Sequence, residues 1–78
     1  MSERPTTVSK SKVIKFLKDN DAELINEESG HQYWAHMYGV VEIQSKRSFD
    51  IFLLQMWAED LGVHEWDLEM WMEQNNVY

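Results

Sequence analysis

Carboxylates and histidines are the side chains of this sequence that could bind a metal or move a proton. His31 and His36 lie five positions apart, so they point to opposite faces of a regular strand and cannot share an ion. The acids do not follow the D-x-[DN]-x-[DN]-G order of a calcium loop, and the sequence contains no cysteine. We therefore predict no bound metal and no cofactor.

Catalysis has one candidate pair, Glu23 with His36. The two face each other if Ser29-Gly30 forms the loop of a hairpin, and an imidazole beside a carboxylate can transfer a proton. However, the sequence has no Gly-rich phosphate loop, nucleophile elbow or HExxH motif, and 78 residues leave little room for a concave pocket. A surface hydrogen bond is the simpler role for the pair. We predict that the protein is not an enzyme and has no catalytic residue.

The acids are unevenly distributed along the chain. Residues 1–47 hold seven basic and seven acidic side chains, whereas residues 48–78 hold seven acids and no base, so the net charge of −7 belongs to the second segment. Such a segment repels phosphate, and it favours a protein partner with a basic surface over a nucleic acid.

Two of these acids break a local rule. Glu59 and Asp60 fall in the last turn of a predicted helix, where the helix dipole is negative and each exposed acid costs about 0.3 to 1 kcal/mol. Glu65 and Asp67 begin the next helix, with His64 predicted as its cap. We call these four acids the acidic corner. The predicted partner-binding site consists of Glu59, Asp60, Glu65, Asp67, Glu69 and Glu73. The alternative is a solvated surface that only confers solubility.

The elements that must position these residues form one small domain. The pattern predicts an α+β fold with one N-terminal helix, a β-hairpin or three-stranded antiparallel sheet, and two C-terminal helices. Residues 1–8 are predicted to be a flexible tail and residues 9–78 the domain, with Ser9 capping the first helix. Gly39 marks either a bulge in one long strand or a turn between two strands.

The hairpin has two predicted faces. A two-residue loop at Ser29-Gly30 places Glu28 opposite His31 and Ile25 opposite Trp34. Period-two alternation then assigns one set of residues to the core: Tyr33, Ala35, Met37, Val41 and Ile43. The opposite face carries an aromatic strip of Trp34, His36 and Tyr38, which we predict as a secondary recognition surface because aromatic residues dominate binding hot spots. The alternative is that a helix covers the strip.

Each C-terminal helix carries a second apolar patch beside its core face. The earlier of the two C-terminal helices is predicted to begin after a Ser48 cap and to stop at Gly62. The second patches are Phe52 with Met56, and Trp66 with Met70. We predict that these four residues form an apolar interface, most simply in a homodimer. The alternative is that the domain buries them internally.

Taken together, these features predict a small acidic protein-binding module. Its size, lack of cysteine, acidic end and aromatic load resemble the small inhibitors that phages and mobile elements direct against host enzymes, some of which imitate the charge of DNA. The prediction is a stoichiometric inhibitor or modulator of a host protein, acting as a homodimer in the cytoplasm without a membrane segment.

Two other functions remain open from the sequence. One is a structural or assembly subunit, in which the apolar patches mediate oligomerisation and the acids serve solubility. The other is a weak nucleic-acid binder that uses Lys12, Lys15 and Lys18 on the first helix, against which the seven uncompensated acids count.

Overall fold

The computed structural model describes residues 6–77. Its elements, in chain order, are β1 (Thr7–Ser9), α1 (Lys10–Asp19), β2 (Glu23–Glu28), β3 (His31–His36), β4 (Gly39–Ile43), β5 (Ser48–Asp50), α2 (Ile51–Asp60) and α3 (Glu65–Gln74). The described residues form a three-stranded antiparallel sheet in the order β2-β3-β4, and β1 pairs with β5 as a separate antiparallel sheet. The predicted α+β fold, with a helix before the sheet and two helices after it, is confirmed.

The start of the domain differs from the prediction. Thr7 and Val8, assigned to the flexible tail, lie in β1 and pair with β5, and Val8 is buried. Residues 1–5 of that tail lie outside the described residues. Ser9 caps α1 as predicted, because its Oγ accepts a hydrogen bond of 3.3 Å from the backbone N–H of Lys12.

The cap of α2 was predicted wrongly. Ser48 lies in β5 opposite Ser9, and the N-cap is Asp50, whose Oδ1 accepts a hydrogen bond of 2.8 Å from the backbone N–H of Phe52. Serine and aspartate are both good caps, so the local sequence does not choose between them. The pairing of β5 with β1 determines which residue is the cap, because it holds Ser48 in an extended strand.

The hairpin loop is confirmed, but the register beyond it is wrong. Glu28 lies opposite His31 as expected. A bulge at Ile25 then shifts the pairing, so that Leu24 lies opposite Trp34 and Glu23 opposite Ala35. A bulge leaves one residue of its strand without a partner position, and every later pair moves by one. The predicted pairs of Ile25 with Trp34 and Glu23 with His36 therefore do not exist.

The run after His31 is two strands, and this overturns the part of the predicted core face before Gly39, whereas Val41 and Ile43 are buried as predicted. Met37 and Tyr38 form a two-residue turn, with His36 opposite Gly39. Directly opposed residues share a face, so Trp34 lies on the same side as its partner Val41. Trp34 is 2% exposed, whereas Met37, predicted to be in the core, is 88% exposed.

The core lies between the helices and one face of the sheet. Its buried apolar residues are Val8, Val13, Phe16, Leu17, Ala22, Trp34, Val41, Ile43, Phe49, Leu54, Trp57, Ala58, Leu68, Met72 and Val77. Phe49 packs edge-to-face on Trp57, with ring centroids 5.3 Å apart. Among the described strands, β2 is the one that buries no side chain. None of the three described helices is long and apolar enough to cross a membrane.

Candidate functional site: a docking surface on the two C-terminal helices

The corner between α2 and α3 is closed by a tight C-terminal motif and a helix cap. Gly62 has a φ of +75°, and its backbone N–H donates to the carbonyl of Glu59 (3.0 Å). The backbone N–H of Val63 donates to the carbonyl of Ala58 (2.8 Å), which completes a Schellman motif. His64 caps α3, as predicted, by accepting a hydrogen bond of 3.2 Å at Nδ1. The end of α2 is thereby held next to the start of α3.

Two acids of the predicted corner share one cleft. Glu59 from α2 and Glu65 from α3 line a cavity of about 380 Å³, which we call the α2–α3 cleft. Its other lining residues are Gln55, Ala58, Val63 and Leu68. The cleft thus combines two carboxylates with an apolar floor, an arrangement suited to a long basic side chain that has an aliphatic stem and a charged head.

Asp67 belongs to a different cavity. It lies on the other flank of α3, in a groove of about 310 Å³ between α3 and the C-terminal end of α1, which we call the α1–α3 groove. Asp19 from α1 lines the same groove, together with Met70 and Trp71 from α3. The structure therefore divides the predicted acidic corner between two sides of α3. Asp60 is exposed and lines neither cavity.

Asp19 and Trp71 were not among the predicted site residues. The Oδ2 atom of Asp19 accepts hydrogen bonds from Lys15 Nζ (2.7 Å) and Trp71 Nε1 (2.9 Å). These bonds, with the one from Lys15 the stronger influence, hold the pKa of Asp19 below its ordinary value. The i,i+4 spacing of Lys15 and Asp19 could have indicated the ion pair from sequence. The contact with Trp71 spans 52 residues, and no local pattern signals it.

The second apolar patches are exposed on the surface of the single chain. Their exposed fractions are 64% for Phe52, 49% for Met56, 65% for Trp66 and 44% for Met70. The described residues thus leave these four side chains uncovered, and the alternative in which the domain buries them internally is not observed. Of the acids that continue the corner along α3, Glu73 is exposed and Glu69 is half-buried.

The predicted aromatic strip is divided. Trp34 is buried in the core, where its Nε1 donates to Gln32 Oε1 (3.1 Å), so it cannot serve as a recognition residue. His36 is half-buried and accepts a hydrogen bond of 3.1 Å from the backbone N–H of Tyr38. Tyr38 is 69% exposed, and its ring lies so close to Gly62 that an added Cβ there would be 2.8 Å from Tyr38 Cε2. Tyr38 therefore borders the α2–α3 corner.

The remaining candidate residues are dispersed. His31 lies on the surface with its Nδ1 atom 3.1 Å from Glu42 Oε2. Residues 6–77 contain no group of three or more histidines and acids that could hold a metal ion. The lysine face proposed for nucleic acid is partly occupied, because Lys15 is paired with Asp19.

The chain matches no protein-family model, and no curated protein or solved structure is significantly similar to it.

Proposed function

We propose that this chain is a stoichiometric protein-binding module that docks on a basic surface of its partner through α2 and α3. One observation carries the proposal: Glu59 and Glu65 border a cleft with an apolar floor, within a segment of seven acids and no base. Opposite potentials on two proteins speed their encounter and fix its orientation.

The chemistry of the surface supports a basic and partly apolar partner. A lysine or arginine side chain can lay its aliphatic stem along half-buried Val63 while Glu59 and Glu65 accept hydrogen bonds from its head. Exposed Trp66 adds apolar area next to the charge, in the way that aromatic anchors act in binding hot spots. Burial of both kinds of contact favours a stable complex over a transient electrostatic encounter.

The position of Glu59 and Asp60 supports selection for binding. Both are exposed in the last turn of α2, which holds no basic residue, so the helix dipole disfavours them. Local rules tend to be broken at functional sites, where stability is lost in favour of binding.

The proposal extends to an inhibitor or modulator that occupies the nucleic-acid site of a host protein. A surface that binds phosphates is basic, and a row of carboxylates can take the place of those phosphates. This extension predicts that the chain competes with DNA or RNA for its partner.

Charge reversal at the corner tests the proposal. The partner is first isolated by affinity capture from the native host, and its binding is then measured by calorimetry at several salt concentrations. We expect Glu59→Lys with Asp60→Lys to weaken binding by at least about tenfold, since two attractive charges become repulsive. The variant should fold, with each substitution stabilising α2 by about 0.3 to 1 kcal/mol through the helix dipole.

Glu23→Lys with Glu28→Lys is the matched control, because both residues are exposed on β2 and the change in net charge is the same. The control should bind almost as well as the natural sequence. Equal binding by the folded corner variant would contradict the proposal.

A second candidate function is assembly, favoured by the exposure of four large apolar side chains on α2 and α3. In this case the chain forms a homodimer or joins a larger structure through Phe52, Met56, Trp66 and Met70. Size-exclusion chromatography with light scattering should then show a dimer that Trp66→Gln with Met70→Gln converts to a folded monomer, while charge reversal at Glu59 and Asp60 has no effect. The opposite pattern supports the docking proposal.

A further inference from the structure

The α1–α3 groove has the composition of a site for a single cationic side chain. Asp19 and Asp67 lie along it, and Trp71 and Met70 supply an aromatic ring and a thioether. Phe16 packs edge-to-face on Trp71, with ring centroids 5.0 Å apart and planes at 75°, and so fixes the ring from the core side. A volume of about 310 Å³ suits one long side chain of a partner.

The electrostatics of the groove favour a positive charge. Asp67 is exposed and forms no ion pair with another described residue. The groove also reaches Asn20, at the C-terminal end of α1, where the helix dipole is negative. The positive charge next to Asp19 is that of Lys15, which leaves the carboxylate of Asp67 uncompensated.

The chain itself shows that a cation is accepted at this ring. Lys15 Nζ lies 5.9 Å from the centroid of the Trp71 ring while it donates to Asp19 at 2.7 Å. An ammonium group thus already combines contact with the aromatic ring and a carboxylate.

We propose that the α1–α3 groove receives an arginine side chain of the basic partner, with Asp67 as the acceptor for its guanidinium group. The inference rests on the proposed function and adds a specific contact to it. Arginine fits better than lysine because a planar guanidinium stacks on an aromatic ring and donates in a fork to a carboxylate. Gln74 and Asn20, which also line the groove, provide further amide acceptors for its five N–H groups.

Titration with a hexa-arginine peptide, followed by the indole N–H signals in ¹H–¹⁵N spectra, tests the inference. The Trp71 signal is assigned from its loss in Trp71→Phe. We expect this signal to shift on titration, with hexalysine binding at least about threefold more weakly at the same site. Asp67→Asn should weaken the arginine complex about tenfold, because the amide keeps one acceptor oxygen but lacks the negative charge and the second acceptor of the carboxylate.

Glu28→Gln is the control, since it removes one negative charge from an exposed residue of β2 that lies outside both the groove and the proposed docking surface. It should weaken the complex less than about twofold. Equal effects of the two variants, or a Trp71 signal that stays unchanged, would overturn the inference.

The outcomes also separate the inference from the proposed function. If the Trp71 signal is unchanged while the amide signals around Glu59 and Glu65 move, the arginine site is wrong and docking through the α2–α3 cleft stands. If arginine enters the groove but charge reversal at Glu59 and Asp60 leaves partner binding intact, the proposed docking surface is wrong and the arginine site stands.

Discussion

Asp19 connects two helices that are far apart in the sequence. Its carboxylate accepts one hydrogen bond from Lys15, a turn earlier in α1, and one from Trp71, in α3. The latter bond and the packing of Phe16 on Trp71 hold the C-terminal end of α1 against α3. A single carboxylate thus stabilises the wall of the α1–α3 groove.

The lowered pKa of Asp19 makes this stabilisation dependent on pH. Because the pKa in the folded state lies below its ordinary value of 3.8, the contribution is complete above that value and is lost as pH falls through the lowered pKa. Asp19→Asn should therefore lower the urea midpoint at about pH 7, and the difference from the natural sequence should shrink below about pH 4. Urea unfolding of both proteins at a series of pH values measures this difference in midpoint.

Glu23→Gln serves as the control for this pH series, because Glu23 is exposed on β2 and does not line the α1–α3 groove. Its difference from the natural sequence should stay small at every pH. A difference for Asp19→Asn that persists undiminished at low pH would show that the ion pair is not its cause.

Single residues were predictable where the signal is local. The cap at His64 and the ion-pair spacing of Lys15 and Asp19 are both readable within one helical turn. The burial of Trp34 was not predictable, because the side of the sheet on which it lies depends on the turn at Met37 and Tyr38. A one-residue change in phase moved it from the surface to the core.

At the scale of elements, the three described helices have the same length and the same ending. Each has ten residues, and the second residue after its end has a positive φ: Asp21, Gly62 or Asn76. The next residue in each case is apolar and donates its backbone N–H back to the helix: Ala22, Val63 and Val77. These Schellman motifs turn the chain while keeping an apolar contact with the core.

Gly62 is the most constrained of these three positions. A side chain there would meet both the positive φ of +75° and the ring of Tyr38, 2.8 Å from the added Cβ. We expect Gly62→Ala to destabilise the fold by about 1 to 2 kcal/mol from the backbone alone, with an added contribution from Tyr38. Thermal or urea unfolding measures the loss.

A double-mutant cycle with Tyr38→Ala separates the two causes. Removing the ring should relieve the steric part, so that Gly62→Ala costs less in the Tyr38→Ala background. Equal costs in both backgrounds would mean that Tyr38 does not press on the corner.

The ends of helices could be predicted, but the pairing of strands could not. Gly62 indicates a helix end in the sequence, because glycine readily adopts the positive φ that such an end requires. The bulge at Ile25 has no such signature, because the surrounding sequence supports the regular register equally well. The bulge places Leu24 opposite Trp34, where both residues line a groove with Ile14 of α1, so the observed register involves residues outside the hairpin.

At the scale of the molecule, the charge is asymmetric and uncompensated. All of the net charge of −7 belongs to residues 48–78, which include the whole of β5, α2 and α3. Like charges within about 10 Å repel one another at low salt and are screened at high salt. The fold should therefore be less stable in dilute buffer.

Raising sodium chloride from about 0.02 M to about 0.5 M should increase the urea midpoint, as screening reduces this repulsion. The response should be smaller in Glu59→Lys with Asp60→Lys, because adding four charges to −7 gives −3. Parallel urea titrations of the two proteins provide the comparison. A midpoint that falls with salt would indicate that ion pairs such as Lys15 with Asp19 outweigh the repulsion.

The grouping of the acids was the least predictable feature. The sequence predicts Glu59, Glu65 and Asp67 near one corner, and all three are exposed. Their division between two cavities depends on where α1 packs against α3. That contact brings together residues more than 50 positions apart, so composition and periodicity do not encode it.

The exposure of β2 has a consequence for local opening. All six of its residues are exposed, so the strand is held to β3 mainly by backbone hydrogen bonds. Its detachment sacrifices little apolar burial, and such segments open with far less free energy than global unfolding. Amide protons of β2 should exchange with solvent before those of β3, and a protease should cut β2 while α2 and α3 remain folded.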